Sequence, residues 1–435
     1  MSTHRFRIRL ACLAVTGALL AASAFAADLH DPKATATQVL DDLQAGRFEA
    51  ITAGFTPEMA KAISADKLAA VWQSLPAQVG ALKSRGEPEQ ATAGAHTMVT
   101  VPLHFERGDL KALINVEADG RIAGLLLQAA APPTPPAVAD AAFDERPVQV
   151  AGLPGLLALP KGQGPFPAVV LVHGSGPQDR DETIGANRPF LDVARGLAAQ
   201  GIAVLRYDKR TLVRPQDFAQ GDYGIDTETT DDAVAAVALL AATPGIDTGR
   251  LYVMGHSQGG MLAPRIAAHS NKVAGIILWA APGRPLLDLL PEQNRHMLGL
   301  DGSLSDQDQA QLAELDRQIR AIRTDKAPDP RLMGVPASYW RDADHVDAIA
   351  ELSRLSLPVL WLQGGRDFQV TAPDWSRWKQ ALAGRTRSTE HFYPALNHLG
   401  IAAGSGPGSP AEYQQPGHVD PQLIDDVARW IKQSQ

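Results

Sequence analysis

Ser257 stands in Gly255-His256-Ser257-Gln258-Gly259, a G-x-S-x-G pattern that follows the short apolar run Leu251-Tyr252-Val253-Met254. That context suits a sharp strand-to-helix turn lifting a serine above a sheet, with glycines where side chains would collide. A serine hydroxyl is a weak nucleophile. It needs a base to take its proton, and the base needs an acid to orient it. Asp367 follows the apolar run Pro358 to Gln363, and His398 follows the run His391 to Tyr393. From Ser257 to Asp367 there are 110 residues, and 31 more reach His398, which leaves room for an insertion between core elements. Asp374 competes for the acid's place but lies seven residues further from the strand end. His391 falls inside its strand and His418 in a remote loop, so each is a weaker base. The bland alternative for the serine is a glycine-rich turn at the surface. Acyl transfer at Ser257 would also need donors for an oxyanion. The backbone N–H of Gln258 is one, and that of Ser175, in His173-Gly174-Ser175-Gly176, is the other.

The elements around these residues alternate. Ala168 to Val172 is an apolar strand, Pro189 to Gln200 a helix stopped by Gly201, and Ile202 to Arg206 the next strand. Thr230 to Ala241 reads as a helix capped by Thr229 or Thr230, the serine motif follows, and Val273 to Trp279 is another strand. Met261 to His269 continues the motif as a helix, with Pro264 early in it. Strands apolar on both faces and separated by helices imply a largely parallel sheet covered on both sides, an α/β fold. Between Gly283 and about Leu355 the alternation stops. Ser305 can cap a helix with Leu312, Leu315, Ile319 and Ile322 on one stripe, a helical cap over the site, in which Tyr339 and Trp340 could line a pocket. The order Ser, Asp, His along the chain is that of the α/β-hydrolase fold.

With 435 residues the chain exceeds what one core holds, and two domains are expected. Residues 27–130 read as a small α+β domain. Helical spacing covers Ala34 to Ala45, Ser64 caps a helix through Leu75, and strands follow at Val99 to Phe105, Leu110 to Val116 and Ile122 to Leu127. Pro102 suggests an edge strand. The Ala/Pro-rich stretch 131–147 reads as a linker, and 148–435 as the catalytic domain. Arg5, Arg7 and Arg9, an apolar run from Leu10 to Ala22 and the small-x-small site Ala24-Phe25-Ala26 read as a cleavable export signal at residues 1–26. The expected location is the periplasm or the medium, with no stable membrane anchor. Losing three arginines takes the formal charge from −8 to −11, which argues against a nucleic-acid partner. Cys12, the single cysteine, would leave with the signal. No metal site and no cofactor motif stands out.

The stretches HGSGPQDRDETIG, LRYDKRT, GHSQGGMLAP, LQGGRDFQV and NHLGI resemble, in this order, a group of bacterial α/β-hydrolase serine esterases. In that group a small N-terminal domain of unassigned function precedes the catalytic domain. The resemblance implies carboxylesterase activity on a small-molecule ester with short acyl chains. It carries nucleophile, acid and base to Ser257, Asp367 and His398. Asp179, Arg180 and Asp181 also match a motif of the group and are expected to hold the oxyanion loop by ion pairing. The alternatives are a serine peptidase or amidase on the same fold, and a non-catalytic binding module. The oligomeric state is not legible.

Overall fold

A computed structural model describes residues 31–93, 96–106, 108–129, 142–218, 223–300, 302–324, 331–404 and 408–434. The export signal read at 1–26, and residues 131–141 of the linker, lie outside the described residues. The chain divides into two compact units.

Among the described residues of the N-terminal region four helices, Pro32–Ala45, Phe48–Ala53, Pro57–Ala62 and Ala65–Val79, precede a five-stranded sheet. Its strands are Leu82–Arg85, Glu89–Ala93, His96–Phe105, Asp109–Glu117 and Ile122–Ala129. His96–Phe105 is not the edge strand that Pro102 suggested, because both Leu82–Arg85 and Glu89–Ala93 pair with it antiparallel and Asp109–Glu117 lies on its other side. The pairing runs Arg85↔Leu103 and then Glu89↔Thr100, so Pro102 falls at the break between the two short strands. A missing N–H interrupts no ladder there.

The hydrolase-like region is built on eight strands: β1 Phe143–Val150, β2 Leu153–Pro160, β3 Phe166–Val172, β4 Ala203–Tyr207, β5 Ile246–His256, β6 Gly275–Trp279, β7 Val359–Gly364 and β8 Ser388–Tyr393. Their order across the sheet is β8-β7-β6-β5-β3-β4-β2-β1. Strands β3 to β8 pair in parallel, and β2 runs antiparallel to β1 and β4. Alternate residues of the central strands feed two cores. Val169, Leu171, Tyr252 and Met254 pack with helices Pro189–Ala198 and Pro421–Gln433. Ala168, Val170, Val172, Leu251 and Val253 pack with Asp231–Ala241, Gln258–Ser270 and Ala372–Leu382. A sheet buried on both faces needs apolar residues at every position, which is why these strands show no polar alternation.

Three expectations change. The stretch read as a linker to 147 already belongs to the sheet, since β1 begins at Phe143 and pairs with β2 as far as Val150. Its Pro147 is tolerated because β1 is the edge strand. Thr230 makes no capping bond; a π-helical turn, Asp226–Thr230, runs straight into Asp231–Ala241 and turns the side chain of Glu228 inward, where it is buried. The helix after the serine starts at Gln258, so Pro264 sits in its second turn rather than its first. The cap stands where expected, between β6 and β7. Helices Leu286–Leu298, Asp306–Arg323, Ala337–Asp344 and Ala348–Ser353 make it up, with a short hairpin, Arg331–Leu332 and Val335–Pro336. Ser305 and Asp308 form a reciprocal capping box, and Leu312, Ile319 and Ile322 bury the apolar stripe.

A Cβ on Gly259 would overlap the carbonyl oxygen of Val172 and lie 2.6 Å from that of His173, both rigid backbone of β3 and its loop. Gly259→Ala is therefore expected to lower the unfolding free energy by at least about 2 kcal/mol. Gly404→Ala, with open space around its Cβ, should change it by under about 0.5 kcal/mol. Denaturant titration of both variants checks this.

Candidate active site

Ser257 joins β5 to the helix Gln258–Ser270 with φ 53° and ψ −122°, a conformation that non-glycine residues rarely adopt. The turn is forced by crowding. A Cβ on Gly255 would overlap the backbone of Gly259, and one on Gly260 would come within 2.7 Å of the Cβ of Ala281. The loop after β3 also closes on the serine: a Cβ on Gly174 would lie 3.2 Å from the Cβ and 3.7 Å from the Oγ of Ser257.

Asp367 and His398 come together on the loops after β7 and β8. The Nδ1 of His398 is 2.8 Å from the Oδ2 of Asp367, and both side chains are buried. A carboxylate only accepts, so Nδ1 carries the proton and Nε2 is left as the basic nitrogen. Asp367 is held by three further donors: Gln363 Nε2 at 3.0 Å, and the N–H groups of Gln369 at 2.8 Å and Val370 at 2.9 Å. Asn397 ties the histidine loop, its Oδ1 accepting from the N–H groups of Leu399 at 3.0 Å and Ile401 at 3.2 Å. Gly364 lets the two loops touch, since its Cβ would lie 2.7 Å from the carbonyl oxygen of Asn397. The competing residues are placed elsewhere. Asp374 binds the Arg284 side chain and the Gly283 and Arg284 N–H groups at the foot of the cap. His391 and His418 pair with Asp426 and Asp192.

Gly174, at the head of the loop after β3, is gripped at both ends. Its N–H donates to Glu182 Oε1 at 2.7 Å, and its carbonyl accepts from Lys209 Nζ at 2.8 Å. With the Gly174 N–H so engaged, the next amide along, that of Ser175, is the loop's candidate oxyanion donor. In a trans peptide that N–H points away from the carbonyl held by Lys209. Gln258, first residue of its helix, has its N–H among those without an intrahelical partner. Of the Asp179-Arg180-Asp181 stretch, Arg180 and Asp181 hold the loop by ion pairing as expected, whereas Asp179 holds it by hydrogen bonds, accepting from the N–H groups of Asp181 at 3.1 Å and Thr183 at 2.9 Å. Arg180 makes a bidentate pair with Asp208, at 2.9 and 2.6 Å, and Asp181 accepts from the buried Arg206 at 2.8 Å.

Four charged residues next to the serine escaped the sequence reading: Glu182, Lys209, Glu228 and His256. Lys209 Nζ pairs with Glu228 Oε1 at 2.5 Å. Glu228 Oε2 accepts from the Gln258 side chain at 3.0 Å and from the Tyr339 hydroxyl at 2.9 Å. Tyr339 thus reaches from the cap to the residue after the serine, and burial pushes its phenol well above the usual range. Trp340 instead donates to the carbonyl of Leu332 at 2.9 Å and packs the cap itself. Glu182 pairs with His256, whose Nδ1 is 2.9 Å from Oε2. Burial is the strongest single influence and opposes charge on both. The partner's charge together with the neighbouring groups (the His398 carbonyl and Asp367 for His256, His173 and the Gly174 N–H for Glu182) outweighs it, holding the His256 imidazole above and the Glu182 carboxyl below its ordinary range. A signal was present for three of them, since Glu182, Lys209 and His256 lie within the motif stretches HGSGPQDRDETIG, LRYDKRT and GHSQGGMLAP. Glu228 lies outside every such stretch. For all four, local sequence gives no way to know that loops far apart in the chain meet.

A mixed eight-stranded sheet with a serine on the turn after β5 and an aspartate–histidine pair after β7 and β8 defines an α/β-hydrolase. The chain belongs to the hydrolase family described as serine aminopeptidase, S33, which residues 164–401 match, and it is an α/β-hydrolase of the serine-esterase group. Residues 36–125 match a second family, described as a protein of unknown function. Esterase EstD of Thermotoga maritima is 38% identical over 372 residues, 85% of this chain and 88% of that one. Est1E of Butyrivibrio proteoclasticus is 16% identical, with a TM-score of 0.40 over 66% of this chain and 96% of that one. An esterase of Pyrococcus furiosus is 15% identical, with a TM-score of 0.42 over 69% and 97%. Neither structural likeness is close enough to bear on function.

His173, buried at the end of β3, has its pKa lowered to about 4 by burial. The unfolded chain binds a proton there near pH 6.5 that the folded chain refuses until about pH 4. Stability should therefore fall as pH drops through that window, by up to roughly 3 kcal/mol. His256, held above its ordinary range, acts in the opposite sense, so the His173 share is read by difference: in urea unfolding at pH 7.5 and 5.0 the native protein is expected to lose more stability toward pH 5.0 than His173→Asn.

Proposed function

We propose that the protein is a serine carboxylesterase acting on short-chain acyl esters. The observation that carries this is the buried Asp367–His398 pair, 2.8 Å apart, in which the His398 carbonyl lies 2.9 Å from the ring of His256 beside the strained Ser257. His398 Nε2 takes the hydroxyl proton as Ser257 Oγ attacks the ester carbonyl. The N–H groups of Ser175 and Gln258 receive the oxyanion. The proton passes from His398 to the leaving alkoxide, and an acyl-serine remains. Water then enters, gives its proton to the same nitrogen and releases the acid, with the serine proton restored. Asp367 keeps Nδ1 protonated and steadies the imidazolium throughout.

The family's description raises aminopeptidase action as the second reading. An aminopeptidase needs an unpaired carboxylate to receive the substrate's ammonium group. The buried carboxylates beside the serine, Glu182 and Glu228, are both already paired, with His256 and Lys209. That supports an ester as the substrate. The cap supports a small one, because Tyr339 comes down to Gln258 and its ring lies 5.4 Å from that of Tyr223. Export to the periplasm or medium belongs to the same reading and rests on Arg5, Arg7, Arg9 and Ala24-Phe25-Ala26. N-terminal sequencing of the mature protein tests it.

Ser257→Ala is expected to cut ester turnover at least about 10³-fold with the melting temperature unchanged, and a fluorophosphonate probe to label the native protein at Ser257 alone. A residual turnover near the native rate in the folded variant would remove Ser257 from the role. With p-nitrophenyl esters, kcat/KM should hold or rise from acetyl to butanoyl at about 0.8 kcal/mol per methylene, then fall steeply by octanoyl. Trp340→Ala, which removes the ring that Tyr339 packs against at 5.6 Å, should relax that cutoff. Aminoacyl anilides run alongside should turn over far more slowly; a preference for them would establish the aminopeptidase reading.

A further inference from the structure

We infer that Glu182 and His256 form a second carboxylate–imidazole dyad whose task is to hold the oxyanion loop and the base loop in register with the nucleophile. The inference rests on the serine esterase reading above. Glu182 is fully buried, in a positive-φ conformation (51°), eight residues beyond Gly174. Its Oε1 accepts from the Gly174 N–H at 2.7 Å, and its Oε2 stands 2.9 Å from His256 Nδ1. His256 Nε2 is 2.9 Å from the carbonyl oxygen of His398. One side-chain pair thus runs from the backbone of the oxyanion loop, through the residue beside Ser257, to the backbone of the base.

The ring's protonation is set by its partners. A carbonyl only accepts, so Nε2 carries a proton, and the Glu182 carboxylate 2.9 Å from Nδ1 favours a second proton there as an ion pair. It is enclosed by Trp279 and by the His398 ring, each with its centroid 4.6 Å away, and by Phe190 at 6.4 Å. Such a pair in an apolar enclosure gains little stability over well-packed apolar side chains. What an apolar pair could not do is hold the Gly174 N–H and the His398 carbonyl at fixed places. The triad itself uses none of these contacts. Glu182 and His256 touch no reacting atom, so they are positioning residues.

The test uses the full-length protein, with active sites first counted by fluorophosphonate. Failure of that labelling, or undiminished turnover by Ser257→Ala, would sink the esterase reading itself, a result distinct from any loss caused by changing the dyad. Glu182→Ala and His256→Phe should each lower kcat about 100-fold with KM within threefold. Affinity for a boronic acid, a mimic of the tetrahedral state, should fall in parallel with kcat/KM. The double variant should be no worse than the poorer single one, as expected of residues acting as a unit. Glu182→Gln keeps an oxygen for Gly174 and offers an N–H to a neutral His256, so kcat should stay within tenfold of the native value. A folded Ala or Phe variant with kcat within threefold of native, a loss confined to KM, or additive losses in the double variant would each overturn the inference. Where the Ala and Phe variants do not fold, Glu182→Gln decides, and a 100-fold loss in that variant overturns it.

Discussion

The close approach of the helix Gln258–Ser270 to the ends of β3, β5 and β6 is the constraint on which the rest of the site depends. Glycine at 255, 259 and 260 is what the contact demands, because any Cβ there meets backbone or the Cβ of Ala281. The same approach drives Ser257 to a positive φ, a strain of about 1–3 kcal/mol. Burial offsets it readily. Leu262 and Ile266 of this helix are fully buried against β5, and each such side chain contributes about 1.5–3 kcal/mol. The contact also sets what lies beside the serine, since the carbonyls crowded by Gly259 belong to Val172 and His173, immediately before Gly174.

A second theme is charge placed where water is excluded. Arg206, Glu145 and Asp181 form a buried chain, Lys209 meets Glu228, and Glu182 meets His256. Ion pairs this deep gain little over apolar packing, yet removing one partner costs about 3–5 kcal/mol because the other is stranded. Their common property is what they hold. Lys209 and Glu182 grip the two polar groups of Gly174, Arg206 holds the loop's Asp181, and His256 holds the carbonyl of His398. A loop has no ladder of its own to satisfy its backbone, so buried charge substitutes for one. The cap is joined to this system through the Tyr339 hydroxyl, which meets both Glu228 and Gln258.

Much of this was legible in the chain. The strands from Ala168 to Val172 and from Pro358 to Gln363, the turn at Ser257 and the helix cap at Ser305 are local events, decided by residues a few positions apart. The pairing of Asp367 with His398 was legible because both loops follow strands of one parallel sheet, and the strands were clear. Phe143 to Val150 was not. Its alanine- and proline-rich approach hid a strand whose only requirement was an edge partner, β2. Pro102 misled for the converse reason: its neighbouring strands stop on either side of it, an arrangement that pairing register decides and local sequence does not.

What the sequence by itself determined was the alternation of strands and helices, the glycines of the elbow and the order Ser257, Asp367, His398. Each depends on backbone sterics or on short apolar runs, whose preferences act within a turn or a strand. Tertiary structure alone decided which charges are partners. Glu182 lies 74 residues from His256 and Glu228 lies 19 from Lys209, and their local sequence gives no way to know that they meet. They become buried pairs only when the sheet brings the loops after β3, β4, β5 and β8 to one edge. There, with water excluded, an unpaired charge is too costly to keep, and pairing fixes where each side chain points.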